Sequence, residues 1–108
     1  MKRGDVVTVS LAGDYGKPRP ALVIQSDLFA EHASVTLLPI TSHRVDGAPL
    51  LRFDVAANAA NGLRKPSQVM IDKAHTVPRD KVGAPFGRLD DGAMLEITRA
   101  LSVFWGIA

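Results

Sequence analysis

The chain of 108 residues contains no cysteine. That excludes disulfides and thiolate-held metal, and it suits a reducing compartment. No apolar run approaches the ~18 residues that a membrane span requires. The N-terminus, Met1-Lys2-Arg3-Gly4-Asp5, meets charge at once and offers no apolar signal segment, so the chain reads as cytoplasmic. Nucleotide and metal signatures are missing too: no P-loop, no dinucleotide fingerprint and no histidine pair at metal spacing. His32, His43 and His75 are scattered, and each reads first as a surface imidazole. Neither a metal nor a cofactor is expected. Charge of one sign is also scarce, at a formal +2. A nucleic-acid binder with this balance needs a local basic patch rather than a uniformly positive surface.

What is present is ordinary globular material, 46% hydrophobic and 22% charged. This is enough for a single domain over 1–108 that buries its own core, with no repeat and no linker. β-Rich segments dominate. Asp5 to Leu11 reads as a half-buried strand, with Val7, Val9 and Leu11 on one face. Ala21 to Gln25 is apolar on both faces and belongs at the centre. Ser26-Asp27 offers an N-cap for a short helical turn. Val35 to Ser42 is a third strand in which Pro39 argues for a bulge or an edge. Leu50 to Val55 is a fourth strand, residues 56–66 a loop, and Ser67 to Val77 a fifth strand. Gly83 to Leu89 adds a short one.

The chain closes on an amphipathic helix. Asp90 is its N-cap, Leu89 and Met94 form a hydrophobic staple, and Gly106 supplies the stop. Met94, Ile97, Leu101 and Phe104 make its apolar stripe. Several strands followed by one such helix predict a mainly β, α+β domain, in which a small curved antiparallel sheet carries the helix.

One stretch organises the rest: Gly16-Lys17-Pro18-Arg19-Pro20-Ala21-Leu22-Val23-Ile24. Each proline holds the residue before it extended, and neither proline has an N–H to give. Alternate residues of an extended chain face the same way. Both missing donors therefore fall on one side, while Arg19 keeps its own backbone groups for the other. A guanidinium on so stiff a backbone suits a group that must meet a phosphate. The plainer reading pairs Arg19 with a carboxylate and makes Thr41 a mere β-branched strand residue.

Several segments, in order, resemble the MazF/PemK family of bacterial toxins. These are Arg3-Gly4-Asp5-Val6, Lys17-Pro18-Arg19-Pro20-Ala21-Leu22-Val23, Pro39-Ile40-Thr41-Ser42, Gly62-Leu63 with Ser67, Asp72 to Val77, Gly87-x-Leu89 and the last helix. The resemblance implies an SH3-like barrel with an added C-terminal helix. It further implies a homodimeric endoribonuclease, the toxin of a type II toxin–antitoxin pair, restrained by a cognate antitoxin. Such an enzyme cuts single-stranded RNA without metal, by attack of the substrate's own 2′-hydroxyl. By position, Arg19 and Thr41 correspond to the family's catalytic arginine and threonine. Asp72 matches an acidic position near the site. Tyr15, Lys17, Ser42, His43 and Lys73 join Asp72 as residues expected to hold RNA.

The chain departs from the family in two places. Gly13-Asp14-Tyr15-Gly16-Lys17 is a short loop where many members have a longer one. Lys73-Ala74-His75-Thr76 stands where members often carry Gln-x-Arg-Thr. Asp14, Asp72 and His43 are therefore all open as general base. A second similarity lies in Phe104-Trp105-Gly106-Ile107, which is like the end of the gyrase-poisoning toxin CcdB. It supplies the alternative: a non-enzymatic inhibitor acting through Trp-Gly-Ile.

Overall fold

The computed structural model describes residues 1–10 and 17–107. Seven strands follow in order: β1 Asp5–Val9, β2 Arg19–Val23, β3 Ser34–Thr41, β4 Arg52–Val55, β5 Ser67–Met70, β6 His75–Pro78 and β7 Gly87–Arg88. Helix α1, Asp91–Phe104, ends the chain. The sheet is antiparallel, ordered β4-β5-β3-β2-β1-β7, with β6 added on β3. The Ser26 hydroxyl caps a short 3-10 turn at Asp27–Phe29, as its sequence suggests.

The alternating pattern of the strands builds two apolar clusters, one on each face. Val6, Leu22, Leu38 and Ile40 point to the face where Ile97 and Leu101 of α1 pack. Val7, Val9, Ala21, Val23, Val35 and Leu37 point to the other face. There the sheet curls over itself, so that Val77 of β6 and Val82 cover them. β1 is therefore buried on both sides, not half-buried as its sequence predicts, because Val6 and Val7 are each fully enclosed.

Prolines set the limits of pairing. The Ile24 N–H donates to the Thr36 carbonyl, so even-numbered residues of β2 and β3 turn their backbone groups toward each other. Pro20 falls on that shared edge, and the β2–β3 ladder runs only as far as Ala21 opposite Pro39. Arg19 turns the other way and pairs with Val9 of β1. Pro39, being odd-numbered, faces the opposite edge of β3. On that edge β6 pairs up to Leu37 and β5 begins at Ile40. Pro39 is thus neither a bulge nor an edge residue: it sits in an interior strand, at the seam where no partner asks for its N–H.

The same seam breaks the fifth strand expected over Ser67 to Val77. In the register of β5, Leu38 would face Ile71; in the register of β6 it would face Ala74. The three-residue difference is taken up by a turn that projects Asp72 and Lys73.

Helix α1 is capped as its sequence implies. The Asp90 carboxylate accepts from the Ala93 N–H at 2.7 Å, and Leu89 and Met94 meet in the core beneath it. Gly106, at φ 76°, closes the far end, with the Ile107 N–H donating to the Ser102 carbonyl at 2.9 Å. Phe104 departs from the expected stripe and stays about half exposed, at 49%. The opening Arg3-Gly4-Asp5 segment is a tie point: Arg3 donates to Thr98 of α1 at 2.7 Å, and Asp5 pairs with Arg88 at 2.9 Å.

Gly62 and Gly87 let the 56–63 loop lie flat on β7. A Cβ on Gly87 would stand 2.0 Å from the Asn61 carbonyl oxygen, and one on Gly62 would stand 2.6 Å from that of Phe86. Neither neighbour is a flexible side-chain end, so something in the backbone would have to move. Gly87→Ala is expected to destabilise the protein by roughly 3 kcal/mol or more. Gly47→Ala, which meets nothing within 4 Å and bears only the strain of its φ of 77°, should cost about 1 kcal/mol. Urea unfolding followed by far-UV circular dichroism measures both.

Candidate active site

Where Pro20 ends the β2–β3 ladder, the two strands part and a groove of about 1210 Å³ opens between them. Its walls include Arg19 and Pro20 from β2 and Pro39 through His43 from β3 and beyond. Leu63, Arg64, Lys65, Lys73, His75 and Phe86 complete it.

The β2–β3 pairing sets Val23 opposite Leu37 and Ala21 opposite Pro39, and beyond its end Arg19 and Thr41 come from the two strands that flank the groove. Arg19 is exposed and Thr41 partly so, and both line the groove. The Thr41 hydroxyl accepts from the His43 N–H at 3.0 Å. A hydroxyl has one proton and two lone pairs, so that bond leaves its proton available to an oxygen in the groove. Ser42 and His43 follow on the same turn, both exposed and both lining the groove.

Two buried polar side chains fix the loops that carry these groups, and neither was expected from the sequence. Gln68, 5% exposed, lies opposite Thr41. Its amide accepts from the Val45 N–H at 2.9 Å and donates to the Val45 carbonyl at 3.0 Å and to Asp54 at 2.9 Å. The turn after Thr41 is thereby clasped to the sheet. Asn61, 2% exposed, accepts from the Asn58 and Leu63 N–H groups and donates to the Ala56 carbonyl. It orders the stretch that delivers Arg64 and Lys65. Those two cations escaped the sequence reading, which placed 56–66 in a loop. The available signal was a pair of adjacent basic residues directly after Gly62-Leu63.

The remaining expected residues separate. Lys73 lines the groove, and so does His75, read from sequence as a surface imidazole. Asp72 is not among the lining residues; its carboxylate accepts from Arg52 at 2.5 Å and lies 3.8 Å from the Lys73 ammonium. Lys17 is exposed and outside the groove's walls. Tyr15 and Asp14 lie outside the described residues.

The outcome is a concentration of one charge sign. Arg19, Arg64, Lys65 and Lys73 line the groove with His43 and His75, and no carboxylate does so among the described residues. With a net charge of only +2, the chain still focuses a positive field in one cleft. No cluster of three His, Asp or Glu side chains able to hold a metal ion occurs among the described residues. No described helix is long and apolar enough to cross a membrane.

Comparison with known proteins agrees with this geometry. The family model described as PemK-like, MazF-like toxin of type II toxin-antitoxin system matches residues 2–105. A probable endoribonuclease MazF of Mycolicibacterium smegmatis is 49% identical over 109 residues, spanning 100% of this chain and 99% of the relative. Endoribonuclease MazF3 of Mycobacterium tuberculosis is 34% identical over 97 residues, 85% of this chain and 90% of the relative. Among solved structures, the Mycobacterium tuberculosis toxin MazF-mt6 superposes with a TM-score of 0.81 at 25% identity, over 96% of this chain and 98% of that one. An endoribonuclease in complex with its cognate antitoxin, from a mycobacterial species, shares the fold at a TM-score of 0.80 and 24% identity, over 100% of this chain and 97% of that one.

The Arg52–Asp72 pair yields a pH-dependent expectation. Burial pushes the Asp72 carboxyl upward, but the bond from Arg52, the local backbone and the charges of Arg52 and Lys73 outweigh it, so its pKa lies below the usual carboxylate value. A group depressed in this way adds stability above its unfolded pKa and loses that contribution as pH falls through the folded value. Asp72→Asn should therefore cost about 2 kcal/mol near neutrality. The gap between variant and parent should close as pH is lowered past about 4, measured by denaturant unfolding at a series of pH values.

Proposed function

The chain belongs to the PemK-like, MazF-like toxins of type II toxin–antitoxin systems, and from that premise we propose that it is a sequence-selective endoribonuclease of single-stranded RNA. The observation that carries the proposal is the groove beyond the end of the β2–β3 ladder, lined by Arg19, Thr41, Arg64, Lys65 and Lys73 and, among its described residues, by no carboxylate. Its charge suits a polyanion. Its open shape suits a strand whose bases are not paired.

In the proposed reaction the 2′-oxygen of one nucleotide attacks its own 3′-phosphorus. The P–O5′ bond breaks, leaving a 2′,3′-cyclic phosphate and a free 5′-hydroxyl. Negative charge builds on the non-bridging oxygens as the fifth bond forms. The Arg19 guanidinium, always charged and able to donate through two parallel N–H groups, stabilises that charge, while the proton given up by the 2′-hydroxyl passes to solvent and the departing 5′-oxygen takes one up from solvent. Thr41 donates its hydroxyl proton to a phosphate oxygen, its lone pair being held by the His43 N–H. Ser42, Arg64, Lys65 and Lys73 hold the flanking backbone.

The protein works as one domain, a cytoplasmic homodimer restrained by a cognate antitoxin. Leu95, Val103, Phe104, Trp105 and Ile107, between 49% and 73% exposed, form an apolar end fit for a protein partner. The gyrase-directed alternative is not favoured. The family match runs through residue 105, and the curated relatives are named endoribonucleases.

Incubation with single-stranded RNA in a chelator should yield fragments ending in a 2′,3′-cyclic phosphate. Arg19→Ala should slow cleavage by about 10³-fold and Thr41→Val by about 10²-fold, with circular dichroism unchanged. Cleavage by Arg19→Ala at the parental rate, or an absolute need for divalent metal, would sink the proposal.

A further inference from the structure

The His75 ring is held in one tautomer inside the groove. Its Nδ1 lies 2.7 Å from the Lys73 carbonyl oxygen, and a carbonyl can only accept, so Nδ1 carries the proton. In the neutral ring Nε2 is then a bare lone pair. His75 stands opposite Leu37, and its place on β6 is pinned by ladder pairing and by the Thr36–Thr76 hydroxyl contact at 2.8 Å.

Position along β3 decides what that lone pair can do. Leu37 and Thr41 lie four residues apart on one strand, roughly 13 Å at ~3.3 Å per residue. The imidazole therefore addresses a neighbouring nucleotide rather than the reacting phosphate. Around it the groove presents donors almost throughout: the ammonium groups of Lys65 and Lys73 and the guanidinium groups of Arg19 and Arg64. A fixed acceptor among donors is poorly placed for a phosphate, whose oxygens accept. It is well placed for an amino group.

We infer that His75 is a specificity-determining residue, whose Nε2 accepts a hydrogen bond from the exocyclic amino group of an adenine, cytosine or guanine flanking the cut, in preference to uracil. This rests on the proposed ribonuclease activity and deepens it by naming a class of base that the groove selects. Protonation reverses the sign of the contact, because an imidazolium donates from both nitrogens. The charged and titratable groups that line the groove with the ring are, among the described residues, Lys73, Arg19, Arg64, Lys65 and His43.

The test uses synthetic single-stranded RNAs with each base in turn at the positions flanking the cut, then the preferred base replaced by its deamino analogue (purine for adenine, hypoxanthine for guanine, a 4-deamino pyrimidine for cytosine). At pH 8 the parent protein should cut the amino-bearing substrate roughly tenfold faster than the deamino one. His75→Ala should cut the two equally while still cleaving, and His75→Gln, which retains an acceptor, should restore part of the preference. Because it is a ratio of rates, the preference is insensitive to general effects on cleavage. An unchanged preference in His75→Ala, or a parent indifferent to the amino group at every flanking position, overturns the inference and leaves the nuclease reading standing. No cleavage of any RNA by the parent overturns both.

Discussion

A backbone hydrogen bond that cannot be made shapes this molecule. Pro20 and Pro39 lack N–H groups, and the gaps fall on the edge of β2 that faces β3 and on the edge of β3 that faces β5 and β6. The first ends the β2–β3 ladder, and the groove lined by Arg19 and Thr41 opens beyond it. The second marks the point on β3 where β6 gives way to β5, and the chain bridging them turns outward to carry Asp72 and Lys73. Both walls of the groove thus follow from the same deficit. An unpaired carbonyl or N–H buried in a continuous sheet would cost free energy. Opening the sheet into a solvated cleft avoids that cost and creates the binding surface at once.

The groove is then stiffened from behind by groups that leave it free for a ligand. Gln68 satisfies both backbone groups of Val45, and Asn61 satisfies the loop before Leu63. Buried amides with all their bonds made hold a loop in one conformation. The entropy of ordering Ser42, His43, Arg64 and Lys65 is largely met on folding rather than on binding. The close stacking at Gly62 and Gly87 serves the same end through packing.

Much of this was legible in the sequence, and the legible parts were local. Strand periodicity, the Asp90 cap, the Gly106 stop and the side to which Arg19 turns are decided within a few residues. The resemblance pointed to Arg19 and Thr41, and both line the groove. What escaped was non-local. Two-sided burial of β1 depends on the sheet curling over to bring Val77 and Val82 onto Val7 and Val9. The interior position of Pro39 depends on which strands share an edge. His75 reads as an ordinary surface imidazole until β6 is known to pair with β3, and Arg64 and Lys65 read as loop charges until Asn61 is seen to fix them.

The fate of Asp72 shows why charge placement matters more here than charge count. A carboxylate in the groove would repel the phosphates it must admit, and repulsion is strong where low-dielectric walls focus the field. Arg52, itself only partly exposed, draws Asp72 away, and Lys73 lies 3.8 Å from the same carboxylate while still lining the groove. The pair thus removes an anion from the cleft and leaves a cation at its wall. That arrangement limits the proton chemistry in turn. An arginine is too basic to accept a proton, and Asp72 is engaged elsewhere. Among the described residues of the groove, the side chains of the type that exchange protons near neutral pH are His43 and His75. Of these, His43 shares a turn with Thr41, whereas His75 stands further along β3 with one nitrogen already committed to Lys73. Two imidazoles in one cleft therefore stand at different points along it, one on the turn of Thr41 and one further along β3 with its Nδ1 already committed.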